Sequence, residues 1–300
     1  MLYIERDVHS GWKFFVPIWN LGPSMNLTRE SIRGISATRR EDLTVLSRSF
    51  NEPFSAAQAA EALGLDLAKT RRLLAALADG GWLARVRHGW YITVPIDASV
   101  PSEWREDPWI VATTLFAPCY IGGWSACEHW GLTDQIFSAT YIVAARKVTP
   151  TDQIIQGSRF KIHSVQDDSF FGTRRVWRRR TAVEVSDPHR TIVDIMDAPS
   201  AAGGALHAAE VLRAYFESEH VDEDKLIDYG DRLGRGALFK RLGYLIENEH
   251  LGSGGLVNRC RERVSKGISY LDPDGSDSGR IVSRWNLKVN VSRLAPLEQP

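Results

Sequence analysis

The segment of residues 55–95 constrains the fold of this chain more strongly than any other. It opens with Ser55 and Gln58, a Ser-x-x-Gln spacing in which both side chains can bond the free backbone N–H groups at the start of a helix. We expect this helix to end near Leu63, because Gly64 then allows the chain to reverse direction. The pattern predicts a short capped helix followed by a tight turn.

A second helix and a hairpin are predicted after this turn. Asp66 is placed to cap a helix over residues 67–78, and residues 82–86 and 90–94 have the aromatic and β-branched composition of strands. The connection at residues 87–89 is Arg-His-Gly, so the tip of the hairpin is basic. Two helices around a turn, followed by a basic hairpin, are typical of a winged helix-turn-helix and indicate duplex DNA as a partner.

The second predicted helix has two chemically different faces. Leucines recur with Thr70 on the face expected to pack, whereas Arg71 and Arg72 fall on the opposite face beside alanines. Two guanidiniums beside methyl-sized side chains form a ridge narrow enough for a major groove, with donors suited to guanine edges or phosphates. We therefore predict that Arg71 and Arg72 read bases and that Lys69 contacts a phosphate. The alternatives are a solvated helix face and a helix-turn-helix that docks a protein.

The composition limits how such a protein can bind DNA. Lys and Arg total 37 and Asp and Glu total 37, so affinity must come from local patches rather than from net charge. The 3 cysteines lack C-x-x-C spacing, which argues against a disulfide framework and a zinc ribbon and favours a reducing compartment. No apolar run approaches the roughly 20 residues that span a bilayer. We expect a cytoplasmic protein without a metal, a cofactor or membrane contact.

A length of 300 residues and a hydrophobic content of 43% are enough for about two domains with real cores. We predict an α+β chain in three parts: an N-terminal arm or extension over 1–38, a winged-helix DNA-binding domain over 39–100, and a partner-binding domain over 101–300. The last part is expected to combine an antiparallel sheet with several helices.

The elements of this chain are predicted from periodicity and from capping signals. Ser125 and Glu128 are expected to form a capping box, and Asp187 to cap the helix that Pro188 begins. Besides the elements of residues 55–95, helices are predicted at 39–50, 108–116, 125–130, 188–197, 204–218, 222–230, 237–248 and 255–265. Strands are predicted at 140–145, 159–165, 175–185 and 284–291.

The densest positive charge in the sequence is a second basic patch, for DNA or a protein partner, formed by Arg174, Arg175, Arg178, Arg179 and Arg180. If this segment is a strand, its arginines point to both faces, which excludes a wholly buried strand. Arginine pairs bidentately with phosphates and with carboxylates, so either a DNA backbone or an acidic protein surface would suit it. The alternative is a solvated edge strand that its charges protect from aggregation.

Two groups of residues have some features of a chemical site. Gly157-Ser158 followed by Asp167-Asp168 has elements of a nucleotidyltransferase, but adjacent acids on a strand point to opposite faces. Glu128 and His129 diverge on a helix, so a structural role is favoured over a metal or acid-base pair. We predict no catalytic residues, no metal ligands and no enzymatic activity.

An acidic run is predicted to be a solvated surface with Lys225 as its main counter-charge. The alternative is that it meets the basic cleft of a partner that handles nucleotides or RNA. Its members are Glu217, Glu219, Asp222, Glu223, Asp224, Asp228 and Asp231.

The order of several short motifs resembles a known family. The winged unit is followed by GGWSACEHWGLTDQ, VSDPHRTIVDIMDAP, FKRLGYLIE and SRWNLKVN. Over residues 40–292 this order is similar to the AbiEi-type antitoxins of bacterial type IV toxin-antitoxin, or abortive infection, systems. The resemblance implies a winged helix that binds inverted repeats in its own promoter and represses it. It also implies a C-terminal domain that neutralises a toxin with a nucleotidyltransferase fold.

The resemblance also implies which residues touch DNA. Carried over by position, the DNA-reading helix contributes Lys69, Thr70, Arg71 and Arg72, and the wing contributes Arg85, Arg87 and His88. This sequence departs from the family at His88, where a second wing arginine is common, and at His189, where an acidic residue often follows Asp-Pro. An exposed histidine is mostly uncharged at neutral pH, which reduces the charge of the wing.

Two other functions are open on the sequence alone. A ligand-responsive winged-helix transcription factor without a toxin partner would need a closed apolar pocket in the second domain. A nuclease or transferase would need clustered acids on one sheet face and activity that depends on Asp167 or Asp168. For the repressor we expect a pair of protomers on half-sites spaced by multiples of roughly 10 base pairs.

Overall fold

Local capping interactions start the first helices of the chain. The computed structural model describes residues 34–166 and 169–294, so most of the predicted arm lies outside the described residues. Helix α1 (Ala37–Ser49) is capped by Ser36, and a short strand β1 (Phe54–Ser55) precedes helix α2 (Ala56–Leu63). The Ser55 hydroxyl accepts from the Gln58 N–H at 3.3 Å while the Gln58 side chain accepts from the Ser55 N–H at 2.8 Å. The predicted capping box is confirmed.

The turn, the third helix and the hairpin also follow the sequence prediction closely. Gly64 ends α2 in the left-handed region, and Asp66 caps helix α3 (Leu67–Asp79) by accepting from the Lys69 N–H at 2.8 Å. Strands β2 (Leu83–Arg87) and β3 (Trp90–Thr93) form a hairpin, and β1 pairs with β3 in an antiparallel three-stranded sheet of order β1-β3-β2.

A six-stranded sheet forms the centre of the remaining chain, in the order β6-β7-β5-β4-β9-β8. Its strands are β4 (Cys119–Ile121), β5 (Ala139–Ala144), β6 (Asp152–Ile155), β7 (Ser158–Ser164), β8 (Thr173–Arg178) and β9 (Thr181–Ser186). The sheet is mixed, because β5 pairs with β7 and β4 with β9 in parallel. The prediction of an antiparallel sheet is wrong in this respect. Strand β6 lies at the edge and runs antiparallel to β7, and β7 runs in the same direction as its other neighbour, β5.

The predicted strand over 175–185 is a hairpin of two strands. Arg178 pairs with Thr181, so Arg179 and Arg180 form the two-residue turn, and Arg179 has a φ of 53°. Alternation of side chains along one long strand, as the sequence predicted, therefore stops at Arg178.

Seven further helices lie around this sheet in the described ranges. They are α4 (Pro108–Leu115), α5 (Gly123–His129), α6 (Pro188–Asp197), α7 (Ala205–Glu217), α8 (Glu223–Leu233), α9 (Gly236–Asn248) and α10 (Gly254–Glu262). Asp187 caps α6 as predicted, accepting from the Arg190 N–H at 2.8 Å. The predicted Ser125–Glu128 capping box is wrong, because α5 begins before Ser125 and the Ser125 hydroxyl accepts from the Tyr141 N–H at 2.9 Å.

A small three-stranded sheet closes the described chain. It consists of β10 (Ser269–Tyr270), β11 (Arg280–Val282) and β12 (Leu287–Val289), in the order β10-β12-β11. The predicted strand over 284–291 is shorter than expected, because Trp285 lies in a 3₁₀ turn and is fully buried against Gly243 of α9.

The β2–β3 hairpin is shared between two hydrophobic cores. Leu83 and Tyr91 pack with the buried leucines of α1 and α3, whereas Val86 and Ile92 pack with α4 and the six-stranded sheet. Residues 94–107, between the hairpin and α4, form no helix or strand. The described residues form one compact unit in which the hairpin contacts both parts.

A buried ion pair fixes α6 against the sheet. Arg190 is 1% exposed, and its guanidinium donates to Asp194 at 2.7 Å, to the Phe171 carbonyl at 3.2 Å and to the Tyr120 hydroxyl at 3.0 Å. Because a buried charge is costly unless it is paired and hydrogen-bonded, removal of either partner would leave an uncompensated charge in the centre of the fold.

Candidate nucleic-acid interface

Helix α3 presents two free guanidiniums to solvent. Arg71 and Arg72 are both exposed, and no carboxylate of the described residues lies within ion-pair distance of either. Among the described residues, the only hydrogen bond made by either guanidinium is within the helix, from Arg72 Nε to the Ala68 carbonyl at 3.4 Å. Both side chains can therefore reach an external partner without breaking an existing ion pair.

Lys69 lies beside these arginines and is less free. Its side chain is 68% exposed, but its Nζ lies 3.4 Å from Asp66 Oδ2. The backbone N–H of Lys69 also donates to Asp66 and lowers the pKa of that carboxyl. Since the helix cap needs an ionised Asp66, Lys69 has a carboxylate neighbour with which a phosphate would compete.

The structure corrects the inclusion of Thr70 among the DNA-contacting residues. Thr70 is 0% exposed, and its hydroxyl donates to the Asp66 carbonyl at 2.9 Å inside the first turn of α3. The periodicity had placed Thr70 on the packing face, whereas the family resemblance had placed it on the DNA-reading face. Because Thr70 is buried, it lies on the packing face, and its side chain cannot touch DNA.

The residues predicted to form a wing lie on different sides of the β2–β3 hairpin. Arg85 is exposed with its guanidinium 5.7 Å from the Tyr91 ring centroid, and Arg87 lies 5.3 Å from the Trp90 ring centroid. A bulge between Arg85 and Arg87 breaks the regular alternation of the strand. His88 is exposed in the turn. The hairpin therefore carries positive charge along its length as well as at its tip.

Sequence reasoning missed a further cation next to the wing. Burial, and after it the positive charge of Arg146, lower the pKa of Arg87. Arg146 follows β5, where it donates to the Leu115 carbonyl at 2.8 Å and the Ala117 carbonyl at 3.0 Å, and the adjacent Lys147 is exposed. The available signal was a basic pair directly after a predicted strand, but only the fold brings that loop to the hairpin.

The second basic patch is largely occupied by contacts within the chain. Arg175 Nε lies 3.3 Å from Glu184, and Arg179 Nη1 lies 3.1 Å from Glu106. Arg174 and Arg178 instead lie over tryptophan rings, at 5.6 Å from the Trp130 centroid and 4.1 Å from the Trp109 centroid. Arg180 is exposed without an ion-pair partner in the described chain. Much of this dense charge is therefore structural.

One aromatic side chain stands out on the same edge strand. Trp177, in the middle of the patch, is 66% exposed, although β8 is at the edge of the six-stranded sheet. A large exposed aromatic on a sheet edge is uncommon, because edges invite aggregation. Trp177 and Arg180 are thus the groups of this patch that are available to a partner.

The acidic run is also partly neutralised, but not by the residue that the sequence indicated. Among the described residues Lys225 pairs with Asp222 alone, whereas Arg259 of α10 pairs with Glu223 at 3.3 Å and with Asp224. Arg263 Nε pairs with Asp231 at 2.7 Å. These arginines fasten α10 to α8, so the sequence interpretation of a run relieved chiefly by Lys225 is wrong.

The candidate catalytic groups are not brought together in the described chain. Asp167 and Asp168 lie outside the described residues, and Gly157 is a turn residue with a φ of 78° before β7. Glu128 is exposed, and His129 packs edge-on against Trp109 with ring centroids 5.4 Å apart. The 3 cysteines are buried as free thiols.

Comparisons with known proteins establish a shared fold. No family model and no curated protein matches the chain. Among solved structures, it is similar to a crystal structure of the RV2827C protein from Mycobacterium tuberculosis, with a TM-score of 0.58 and 18% identity. That match covers 87% of this chain and 94% of the other. No helix of the described ranges has both the length and the apolar character that crossing a bilayer requires.

Proposed function

We propose that this chain is a sequence-specific DNA-binding repressor that also serves as the antitoxin of a toxin-antitoxin operon. In this proposal α1–α3 and the β2–β3 hairpin are a winged helix-turn-helix, and two protomers occupy operator half-sites in the cytoplasm. The remaining chain neutralises a nucleotidyltransferase-like toxin. The observation that carries the DNA-binding part is the exposed, unpaired state of Arg71 and Arg72 among the described residues.

The position of these arginines within α3 supports a role in a major groove. Recognition helices contact bases through residues near their N-terminus, and Arg71 and Arg72 lie in the first half of α3 (Leu67–Asp79). Ala68 is exposed on the same side, so nothing bulky separates the guanidiniums from a groove floor. Leu67 is 39% exposed and adds an apolar contact of the kind that a thymine methyl accepts.

The hairpin supplies the second contact in this proposal. Arg85, Arg87 and the neighbouring Arg146 give it a positive surface that can contact phosphates beside the site read by α3. Phosphate contacts fix register without carrying sequence information. In this proposal α3 provides sequence specificity and the hairpin provides affinity.

Trp177 and Arg180 are the groups that we assign to the toxin contact. Tryptophan and arginine are the side chains most enriched at energetically important positions of protein interfaces. An exposed edge strand also offers unpaired backbone groups to a partner. The toxin arm is supported by the order of motifs in the sequence and by this exposed edge.

The DNA arm is tested by anisotropy titration of the full chain with duplex DNA from immediately upstream of its own gene. Wild type should bind this DNA more tightly than a shuffled duplex, and Arg71→Ala/Arg72→Ala should lose the preference. Arg261→Ala/Lys266→Ala removes the same charge from one exposed position on α10 and one after it, and should bind like wild type. Equal affinity of wild type for both duplexes would refute sequence-specific binding.

The toxin arm is tested by co-expression with the product of the neighbouring reading frame. If that product is toxic alone, wild type should restore growth, and so should Arg71→Ala/Arg72→Ala, because neutralisation is assigned to the other part of the chain. A toxin that stays active when soluble wild type is present would refute the antitoxin role but would not affect the proposal of DNA binding.

A further inference from the structure

A polar cavity of about 590 Å³ lies where several elements of the α+β region end. Its walls come from the first turn of α4, from α5, from the start of β5, from the turn before β7 and from the last residue of β8. The volume falls in the range of small-molecule sites. This cavity is polar and has exposed residues in its walls, unlike the closed apolar pocket expected for a ligand-responsive factor.

Arg178 is the unusual group in this cavity. Its guanidinium lies 4.1 Å from the Trp109 ring centroid, and its Nε is buried without a hydrogen-bond partner in the described chain. No carboxylate of the described residues pairs with it. A buried N–H without a partner is costly, so such a group in a native structure calls for an explanation.

The remaining charges of the cavity do not neutralise Arg178. Arg159 also lines it, but its positive charge is paired with Asp152, to which its Nε and Nη2 donate at 2.9 and 2.6 Å. Glu128 lines it from α5 and is exposed, yet it lies beyond ion-pair distance of Arg178. Burial, and after it the charge of Arg178, lower the pKa of His129 in the same wall. The guanidinium therefore acts on its surroundings as an unpaired cation.

Neutral donors line the same cavity as this cation. Hydroxyls of Ser138, Thr140 and Ser158 line the cavity, and none has a side-chain hydrogen bond to another described residue. A guanidinium beside hydroxyls matches a carboxylate or a phosphate, which accept bidentate and single hydrogen bonds together.

The cavity wall is connected to the wing. Gln156, next to Gly157 of the wall, accepts from the Glu106 N–H at 3.3 Å and donates to the Arg85 carbonyl at 3.5 Å. Arg179, next to Arg178, pairs with the same Glu106. Gln156 thus contacts strand β2 directly, and both Gln156 and Arg179 contact Glu106, which precedes α4.

We propose that this cavity binds a small molecule carrying a carboxylate or phosphate group, that Arg178 holds that group, and that Gln156 transmits occupancy to the wing. Binding of the oxyanion is independent of the DNA-binding function. Only the transmission step rests on that proposed function.

The binding step is tested by NMR on the full, deuterated, ¹⁵N-labelled chain. Inorganic phosphate and succinate are titrated separately to about 10 mM, roughly tenfold above a millimolar dissociation constant. The Nε–H resonance of Arg178, assigned by its loss in Arg178→Lys, should shift and saturate with at least one probe. A response to phosphate alone identifies a phosphate ligand and a response to succinate alone a carboxylate ligand. No saturable shift with either probe would overturn the site.

Matched variants separate this site from nonspecific anion binding. Arg180→Lys alters the exposed arginine two positions further along the chain and should leave the dissociation constant unchanged, whereas Arg178→Lys should abolish the remaining cavity shifts. Ser158→Ala acts from a different wall, keeps the Arg178–Trp109 stack and should weaken binding at least about threefold, so the test does not depend on folding of Arg178→Lys. Unchanged affinity in both variants would refute the assignment.

The transmission step is tested by operator titrations with and without the active probe at constant ionic strength. The probe should change the operator dissociation constant of wild type at least about threefold, but not that of Gln156→Ala or Arg178→Lys. An unchanged constant in wild type would refute transmission while the NMR result stands. Absence of operator binding by wild type would instead refute the proposed function.

Discussion

The two arginine groups of this chain differ in a way that their sequence density does not indicate. Arg71 and Arg72 on α3 form a sparse pair, yet both are exposed and unpaired among the described residues. The β8 group is far denser, but two of its members pair with Glu184 and Glu106 and two lie over tryptophan rings. Availability for a partner depends on the carboxylates and rings that the fold brings near, so the sparse pair is the better DNA-binding candidate.

The largest expected difference between the two groups is in operator affinity. Arg71→Ala/Arg72→Ala should weaken binding at least about 30-fold, because each bidentate base contact contributes about 1 to 3 kcal/mol. Arg175→Ala/Arg179→Ala removes the same charge from the β8 group and should change affinity less than about threefold. Both are measured by anisotropy at one salt concentration. Equal losses of operator affinity in the two double variants would show that the α3 pair and the β8 group do not differ in DNA binding.

Trp177 tests whether the β8 group contacts the toxin rather than DNA. Trp177→Ala should weaken binding of the toxin by about 2 kcal/mol, the size of an interface hot spot, because a large exposed ring would become buried there. The same variant should keep operator affinity and thermal stability, since the side chain is 66% exposed in the chain alone. Calorimetric titration of the toxin measures the loss, and unchanged toxin affinity would exclude this edge from the contact.

Arg179 should matter for stability rather than for binding. The Glu106 side chain is 4% exposed, so Arg179→Ala leaves a buried carboxylate without its counter-charge and should cost about 1 to 3 kcal/mol in free energy of unfolding. Arg180→Ala, one residue further in the same turn, should stay within about 0.5 kcal/mol of wild type. Urea unfolding measures both.

The stability loss in Arg179→Ala should also depend on pH. Burial raises the pKa of Glu106 above its usual 4.5, and Arg179 opposes that rise. Without Arg179 the folded state holds the proton to a higher pH than the unfolded state, so stability falls as pH rises above about 4.5. The deficit relative to wild type should therefore be larger at about pH 7.5 than at about pH 5. A pH-independent deficit would show that Glu106 is not its origin.

The helices were more predictable than the sheet for a physical reason. Capping is local, so Ser55, Asp66 and Asp187 could be recognised from neighbouring residues, and each forms its predicted hydrogen bond. Ser125 shows the limit of this reasoning, because its hydroxyl bonds a distant strand instead. Strand direction depends on connections that no local pattern encodes, and the short β4 and β6 carry too few residues for a periodic signal.

In the candidate site, too, local features could be predicted from the sequence and nonlocal ones could not. Exposure of Arg71 and Arg72 follows from helix periodicity, which also predicts the burial of Thr70. The partners of the β8 arginines are distant in sequence, as with Arg179 and Glu106, and cannot be read from composition. The loop of Arg146 joins the wing for the same nonlocal reason.

Arg175 should show how little an exposed ion pair contributes. Its pair with Glu184 is largely solvated, so Arg175→Ala should reduce the free energy of unfolding by only about 0.2 to 1 kcal/mol. Thr173 also donates to Glu184, at 2.9 Å, which keeps that carboxylate satisfied in the variant. A loss in urea unfolding as large as that of Arg179→Ala would mean that burial of the carboxylate does not govern the cost.

The smallest expected effect comes from adding charge to the wing. His88 is exposed in the turn of the β2–β3 hairpin, and His88→Arg adds a permanent positive charge there. If the turn lies against phosphates, operator affinity should rise a few-fold at low salt, and the logarithmic salt slope should steepen by about 0.9 for the one added contact. Asn258→Arg, an equal change at an exposed position of α10, should alter neither quantity. Identical slopes for His88→Arg and Asn258→Arg would place the tip of the hairpin away from the DNA backbone, and α3 would then have to carry the interface without it.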